Sequence, residues 1–247
     1  ERLKHKNRAS TVWDYERLIL EEFPAIFKVK CFDNMVSDPD PEKRTRPGHI
    51  LIVVIPRQTE TLSVNAHPMV NGAGLKEVCA FVKALASPFV NIAVRNPVYE
   101  QIQVRCTVKF KKQARAGYDV DRLNHDISCY LSPWHEMGYR AGFGWCVRRY
   151  EMETFIRNLD YVDFVSNFSM LHITDHGQGN YHLFDTAEGH TGDEKIEAIY
   201  PVFPWSLPVP IKRHFIETMD QFKTIQPEIT GVDELEIGST FIIYSKK

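Results

Sequence analysis

Between residues 98 and 110 the chain alternates apolar and polar side chains with a period of two. The even-numbered positions are apolar except for Glu100, and the odd-numbered positions carry Tyr99 and polar residues. This pattern predicts a long strand with one buried face and one solvated face. Pro97, which cannot donate to a sheet ladder, separates this strand from the short apolar run Ile92–Val94, which predicts another strand. The chain therefore divides into two parts close to Pro97.

Apolar residues at helical spacing recur four times along the chain, which predicts four amphipathic helices. Thr11 and Asp14 form a capping-box pattern before the first stripe, and Asp119 is a candidate N-cap of the third. The unbroken apolar run Ile50–Ile55 predicts a strand that is covered on both faces. The four stripes are Tyr15, Leu18, Ile19 and Phe23; Leu75, Val78, Cys79, Val82, Leu85 and Ala86; Val120, Leu123, Ile127, Tyr130 and Leu131; and Met152, Phe155, Ile156 and Leu159.

The order of these elements predicts an α+β fold with two consecutive small α/β sandwich units, each a mixed sheet backed by helices. The first unit takes in residues 1–97, including a basic connector at the N-terminus, and the second takes in residues 98–174. Residues 34–48 contain three prolines and many charges, so we expect a surface loop there.

Residues 175–247 form a third segment, which is acidic and rich in proline. Its stretch Ile199–Pro210 has four closely spaced prolines and should run as an extended arm that presents Tyr200, Phe203 and Trp205 to a neighbouring subunit. Pro208 and Pro210 belong to the same candidate interface. Further along, the pattern predicts a short helix around His214–Phe222 and a strand-like segment over Gly231–Tyr244.

Charge and composition are those of an ordinary globular protein, with 25% charged residues and a net charge of −2. This balance argues against nucleic-acid binding, which favours a strongly basic surface. The charge is uneven: residues 91–149 carry ten basic and five acidic side chains, an excess of +5, whereas residues 175–247 carry six basic and twelve acidic, an excess of −6. Opposite charges of this size can complement each other within the fold or between copies.

Cysteine usage and hydropathy indicate the redox compartment and whether the chain enters a membrane. The five cysteines form no CxxC pair and fall mostly on apolar positions, which is typical of buried thiols in a reducing compartment. No apolar run is long enough to span a bilayer, and no signal peptide is evident. We therefore expect neither membrane insertion nor a disulfide framework. The first residue is Glu1, so the chain is expected to be a portion of a longer polypeptide.

Two groups of side chains could carry chemistry. His172, His176, His182 and His190 lie near Asp175, Asp185 and Asp193, and a zinc ion needs three or four such ligands. The group lacks the HExxH and CxxC spacings of known zinc sites, so polar loop histidines are the simpler interpretation. Cys129 and His125 are one helical turn apart, but no third residue is evident to orient the histidine.

Four collinear motifs resemble the baseplate J-like proteins, which are wedge components of contractile phage tails and related contractile injection systems. The motifs cover about residues 8–172. They read RASTVWDYERLILEEFPAIFKVKC (8–31), VRNPVYEQIQVRCTVKF (94–110), LNHDISCYLSPW (123–134) and GFGWCVRRYEMETFIRNLDYVDFV (142–165).

The resemblance implies the C-terminal portion of a structural wedge subunit, with no catalytic residue, cofactor or metal. Its implied partners are other wedge subunits, including a second J-like protein, the central hub and spike, and a sheath-proximal baseplate protein. It further implies assembly in the bacterial cytoplasm into a phage tail-like particle, of phage, type VI-like or extracellular type.

Ile199–Pro210 and Asn34–Gly48 are the expected intersubunit contacts, with Tyr99 and Trp134 as additional candidates. We expect that a chain without Ile199–Pro210 would keep residues 8–172 folded and fail to assemble. Two other functions remain open at this point: a metal-dependent hydrolase that uses the His172–His190 cluster, and a receptor- or carbohydrate-binding tail module.

Overall fold

The structure is a computed structural model that describes residues 8–57, 67–112, 115–134, 142–175, 181–187 and 197–219. Its elements follow in chain order: α1 (Val12–Glu22), β1 (Ile26–Met35), α2 (Pro41–Arg44), β2 (Thr45–Pro56), α3 (Gly72–Leu85), β3 (Asn91–Arg95), β4 (Val98–Phe110), α4 (Ala116–Leu131), β5 (Val147–Arg148), α5 (Arg149–Arg157), β6 (Val162–Asp175), β7 (Tyr181–Asp185), β8 (Ala198–Ile199), β9 (Ser206–Pro210) and β10 (Phe215–Thr218). No helix within these ranges is long and apolar enough to cross a membrane.

The first unit is a three-stranded sheet in the order β1-β2-β3, with β2 antiparallel to β1 and parallel to β3. The predicted capping box begins α1: Asp14 N–H donates to Thr11 Oγ1, and Thr11 N–H donates to Asp14 Oδ2. Ile52 and Val54 of β2 pack in one cluster with Ile19 of α1 and with α3. Leu51 and Val53 lie in a different cluster, and residues 51–55 are all buried, as the apolar run predicts.

The second unit is built on β4, which pairs with β6, β9 and β10 and is longer than each of them except β6. β6 pairs antiparallel with one edge of β4, and β7 continues the sheet beyond β6. β9 and β10 both pair with β4 in parallel, one after the other along its length. The apolar positions of β4 pack against α4 and α5, in a cluster that includes Leu123, Ile127, Met152 and Ile156. The α+β class, with mixed sheets backed by helices, is confirmed.

Three local predictions were wrong. The segment 34–48 lies at the surface, as expected, but it is not a loop throughout, because β1 runs to Met35, β2 begins at Thr45 and the short α2 lies between them. Asp119 does not cap α4, which begins three residues earlier; Asp119 is instead buried in its first turn. Residues 215–218 form a strand and not a helix, since their backbone pairs with Arg105–Val108 of β4.

The described part of the predicted arm belongs to the second sheet. Residues 206–210 are extended, as expected, but all five are buried and pair with Val98–Ile102 of β4. The reason is that β4 offers a free edge on the side opposite β6, where a parallel strand completes its hydrogen bonding. The strand-like segment predicted at Gly231–Tyr244 lies outside the described residues, and the boundaries 1–97, 98–174 and 175–247 stay predictions.

Candidate assembly surface

The seven predicted interface residues lie along the Pro-rich segment, residues 199–210, or beside it, but they differ in exposure. Trp205 is only 2% exposed and packs with Leu51 and Val53, on the opposite face of the first sheet from its helices. Phe203 stacks on Trp205, with ring centroids 5.1 Å apart and planes 9° apart. These two rings therefore connect the first sheet to β9, a strand of the second sheet, within one chain.

Two arginines of the first unit complete this junction. Arg44 lies over the rings of both Phe203 and Trp205, with its guanidinium carbon 4.9 and 5.5 Å from their centroids, and Arg95 lies 5.6 Å from Trp205. Burial lowers the pKa of Arg95, and the aromatic faces offset part of that loss of hydration. Arg44 belongs to the segment Asn34–Gly48, so the two segments that were predicted to contact neighbours contact each other.

Tyr99 and Trp134 form a second aromatic group at the junction. Their rings pack edge to face with centroids 6.2 Å apart, and His67 stacks on Tyr99 at 5.0 Å. The Tyr99 hydroxyl donates to the carbonyl of Pro68 at 2.6 Å, and burial raises the pKa of this phenol. Both rings are half-buried, so only part of each is available to another protein.

Pro208 and Pro210 lie in β9 at the edge of the second sheet, opposite Glu100 and Ile102 of β4. A proline fits an edge strand because its missing N–H can face away from the ladder. Both prolines are buried. Together with Trp205 they stabilise this chain's own core, and this burial corrects their assignment as contacts with a neighbour.

A buried contact between Glu100 and His172 fixes the Pro-rich segment to the second sheet. Glu100, 1% exposed, is the residue that interrupts the alternation of β4, and its Oε2 lies 2.7 Å from His172 Nε2 on β6. The backbone N–H of Val202 donates to Oε1 of the same carboxylate at 3.0 Å. Since a buried carboxylate is costly without partners, these bonds explain why an acidic residue occupies an apolar position.

Tyr200 is the one member of the predicted set whose ring is largely exposed to solvent, at 68%. It follows β8, which pairs with β5 so that Ala198 lies opposite Arg148. Arg148 pairs with Glu151 at 3.8 Å, and Val202 and Tyr150 are also exposed. We call Tyr200, Val202, Arg148 and Tyr150 the rim surface. The exposed tyrosine Tyr150 and the cation Arg148 are members that sequence reasoning missed. Their position within five residues of the Gly-rich stretch 142–145 was the available signal.

The candidate metal cluster does not come together in the part of the chain that the structure describes. His172 contacts Glu100, and His182 is exposed on β7. His176 and His190 lie outside the described residues. No three residues of the metal-binding types converge among the described ones. The structure does bring Cys129 Sγ to 3.4 Å from His125 Nε2. Burial raises the pKa of that thiol to about 11, which favours a protonated packing residue over a nucleophile.

Comparison with known proteins agrees with the motifs. A family model described as "Baseplate protein PVC11-like" matches residues 1–191. A search of curated proteins finds no match. Among solved structures, a chain in the cryo-EM structure of the anti-feeding prophage (AFP) baseplate has the same fold, with a TM-score of 0.57 and 18% identity.

That alignment covers 85% of this chain and 39% of the AFP chain, so this chain spans well under half the length of the protein that it resembles. The match to residues 1–191 places this chain in the PVC11-like family of baseplate proteins, structural subunits of contractile injection systems, the class that its four motifs predicted.

Proposed function

We propose that this chain is part of a baseplate wedge subunit that holds neighbouring proteins in fixed positions and performs no catalysis. Its partners would be other wedge subunits, including a second J-like protein, together with the central hub and spike and a sheath-proximal baseplate protein. Assembly would take place in the bacterial cytoplasm, before the phage tail-like particle is released or docked at a membrane.

The observation that supports this proposal is the rim surface on a rigid support. Tyr200 and Tyr150 are exposed by 68% and 76%. The segment that carries Tyr200 is held by the Glu100 bond to Val202 and by the buried Trp205. Tyr150 lies in α5, which is anchored by the buried side chains of Met152 and Ile156. Exposed aromatic rings that are held in one position lose little conformational entropy on binding, and tyrosine is frequent at the centres of protein interfaces. The rim surface is therefore suited to contact another baseplate protein.

Co-expression with the other baseplate proteins of the same gene cluster tests this role. We expect Tyr200→Ser combined with Tyr150→Ser to leave the circular dichroism spectrum and the unfolding midpoint unchanged, because both rings are exposed, and to reduce recovery of the wedge complex on a sizing column. The control is Phe89→Ser, which removes a ring that is 89% exposed between α3 and β3. Equal recovery of the complex with the double variant and with wild type would contradict the proposal.

A further inference from the structure

A cleft lies between the end of β4 and the beginning of α4, and its lining is predominantly basic. Lys111, Lys112, Arg115 and Arg122 line it together with the exposed ring of Tyr118. The acidic side chains in the lining are Asp119 and Asp160. This cleft lies in the interval 91–149, where basic residues are in excess.

The basic charge of the cleft is only partly neutralised. Arg122 pairs with Asp160 at 3.1 Å and lies 4.1 Å from the centroid of the Tyr161 ring. Lys111 Nζ donates to the backbone carbonyl of Asp160 at 2.8 Å, a partner that carries no net charge. Asp119 is buried in the first turn of α4. Within the described ranges no acidic side chain pairs with Lys112 or Arg115, both of which are exposed.

The last described residues lie at the end of the sheet where the cleft is found. β10 runs parallel to β4, and Thr218 is level with Val108, so the described chain ends, at Met219, at the same end of the sheet as Lys111. Lys111 follows Val108 by three residues, a distance of about 10 Å in extended chain. Glu228 follows Met219 by nine residues, which can extend over roughly 30 Å, and this length is ample to reach the cleft.

The sequence beyond Met219 has the complementary charge. Residues 220–236 contain five acidic side chains, Asp220, Glu228, Asp233, Glu234 and Glu236, and one basic side chain, Lys223. Polynucleotides are also anionic, but the net charge of −2 for the whole chain does not favour them.

We propose that the basic cleft binds the acidic segment 220–236 of the same chain. Covalent attachment gives the segment a high effective concentration at the cleft, so charge pairs that are individually weak suffice to hold it. Tyr118 supplies an aromatic contact beside these charges. The cleft is separate from the rim surface, and the inference does not depend on the proposed wedge role.

Hydrogen exchange of the full chain, measured by mass spectrometry, tests the contact. In wild type we expect amides of residues 220–236 to exchange slowly at low salt and to lose this protection near ~1 M salt, where charges are screened within a few ångströms. Lys112→Glu with Arg115→Glu should abolish the protection and leave β4 unchanged. The matched control, Lys76→Glu with Lys83→Glu on the exposed side of α3, should retain it.

A charge exchange and a cross-linking experiment complete the test. Adding Glu234→Lys and Glu236→Lys to the variant with the reversed cleft charges, Lys112→Glu with Arg115→Glu, should restore the protection. Carbodiimide treatment of a mixture of isotopically heavy and light wild-type chains should join Lys111 or Lys112 to an acidic residue of 220–236 within one copy. Unchanged protection in the reversed cleft, or cross-links formed only between heavy and light copies, would overturn the inference.

Discussion

At the scale of single residues, buried polar side chains determine how the Pro-rich segment is held. The Glu100 carboxylate contacts a histidine of β6 and the backbone N–H of Val202, and so connects β4, β6 and the segment that leads into β9. An apolar residue at this position could pack against the core, but it could not accept the bond from Val202. The pair therefore sets the position of residues 200–205 at the cost of removing polar groups from water.

We predict that Glu100→Ala lowers the free energy of unfolding by about 3–5 kcal/mol, because it leaves His172 and the Val202 N–H buried without their partner. Urea unfolding followed by circular dichroism measures this change. The control, Glu77→Ala, removes an exposed carboxylate from α3 and should stay within about 0.5 kcal/mol of wild type. A loss in Glu100→Ala no larger than that of the control would show that the pair does not stabilise the fold.

His214 is a second buried polar residue, and its protonation state links stability to pH. It lies in the gap between β9 and β10, where its Nδ1 accepts a hydrogen bond from Val104 N–H at 3.1 Å. A protonated imidazole cannot accept this bond. Burial lowers the pKa of His214 from its ordinary value of 6.5 to about 4, so the folded protein holds the ring neutral.

From pH 6.5 down to about 4, the unfolded chain binds a proton at His214 that the folded chain does not bind. We therefore predict that His214 lowers the free energy of unfolding across this window by up to about 1.4 kcal/mol per pH unit, and has no such effect above it. His214→Asn keeps an acceptor and removes the titration. Urea unfolding at several pH values should give a shallower decline for this variant, and identical slopes would contradict the assignment.

At the scale of elements, local pattern accounts for the helices and for the strands that pair with near neighbours. The helical stripes are buried as predicted, and the run Ile50–Ile55 lies in β2. What local pattern could not show is that residues 206–218 pair with β4, which precedes them by about a hundred residues. The prolines indicated an extended backbone correctly, but an extended backbone does not specify its partner.

The same limit explains the errors at the candidate site. The alternation of β4 identified Glu100 as an exception, yet nothing near it in sequence indicates His172 or Val202 as its partners. Aromatic and proline residues at 199–210 have the composition of an interface, and they also have the composition of a core. Only the three-dimensional pairing separates Trp205, which is buried, from Tyr200, which is exposed. Of the predicted set, Tyr200 is the residue retained in the proposed contact.

This topology also shows why deleting Ile199–Pro210 would be a poor test of assembly. A chain without Ile199–Pro210 loses β8 and β9, and with them the buried residues Ile199, Leu207 and Val209. The exposed edge of β4 would then carry unpaired backbone groups. Such a deletion would disturb the fold as well as any assembly, so substitutions on the rim surface are the cleaner test of function.

At the scale of the whole molecule, the cluster around Trp205 connects the two sheets. Trp205 contacts Leu51 and Val53 of β2 and lies one residue before β9. A subunit that positions neighbours in a baseplate needs its two units to keep a fixed relation, because a shift at one contact would misplace the other. A buried aromatic residue at the connection provides this rigidity, since it excludes water and packs against both sides.

We predict that Trp205→Ala lowers the free energy of unfolding by about 3–5 kcal/mol and separates the unfolding of the two units. In wild type, native-state hydrogen exchange should give the central amides of β2 and β6 the same opening free energy, as expected for one cooperative unit. In the variant the two strands should differ. Trp13→Ala is the matched control, because it removes an indole that is 42% exposed on α1 and should leave β2 and β6 coupled. Equal opening free energies for β2 and β6 in Trp205→Ala would mean that contacts other than this indole couple the two sheets.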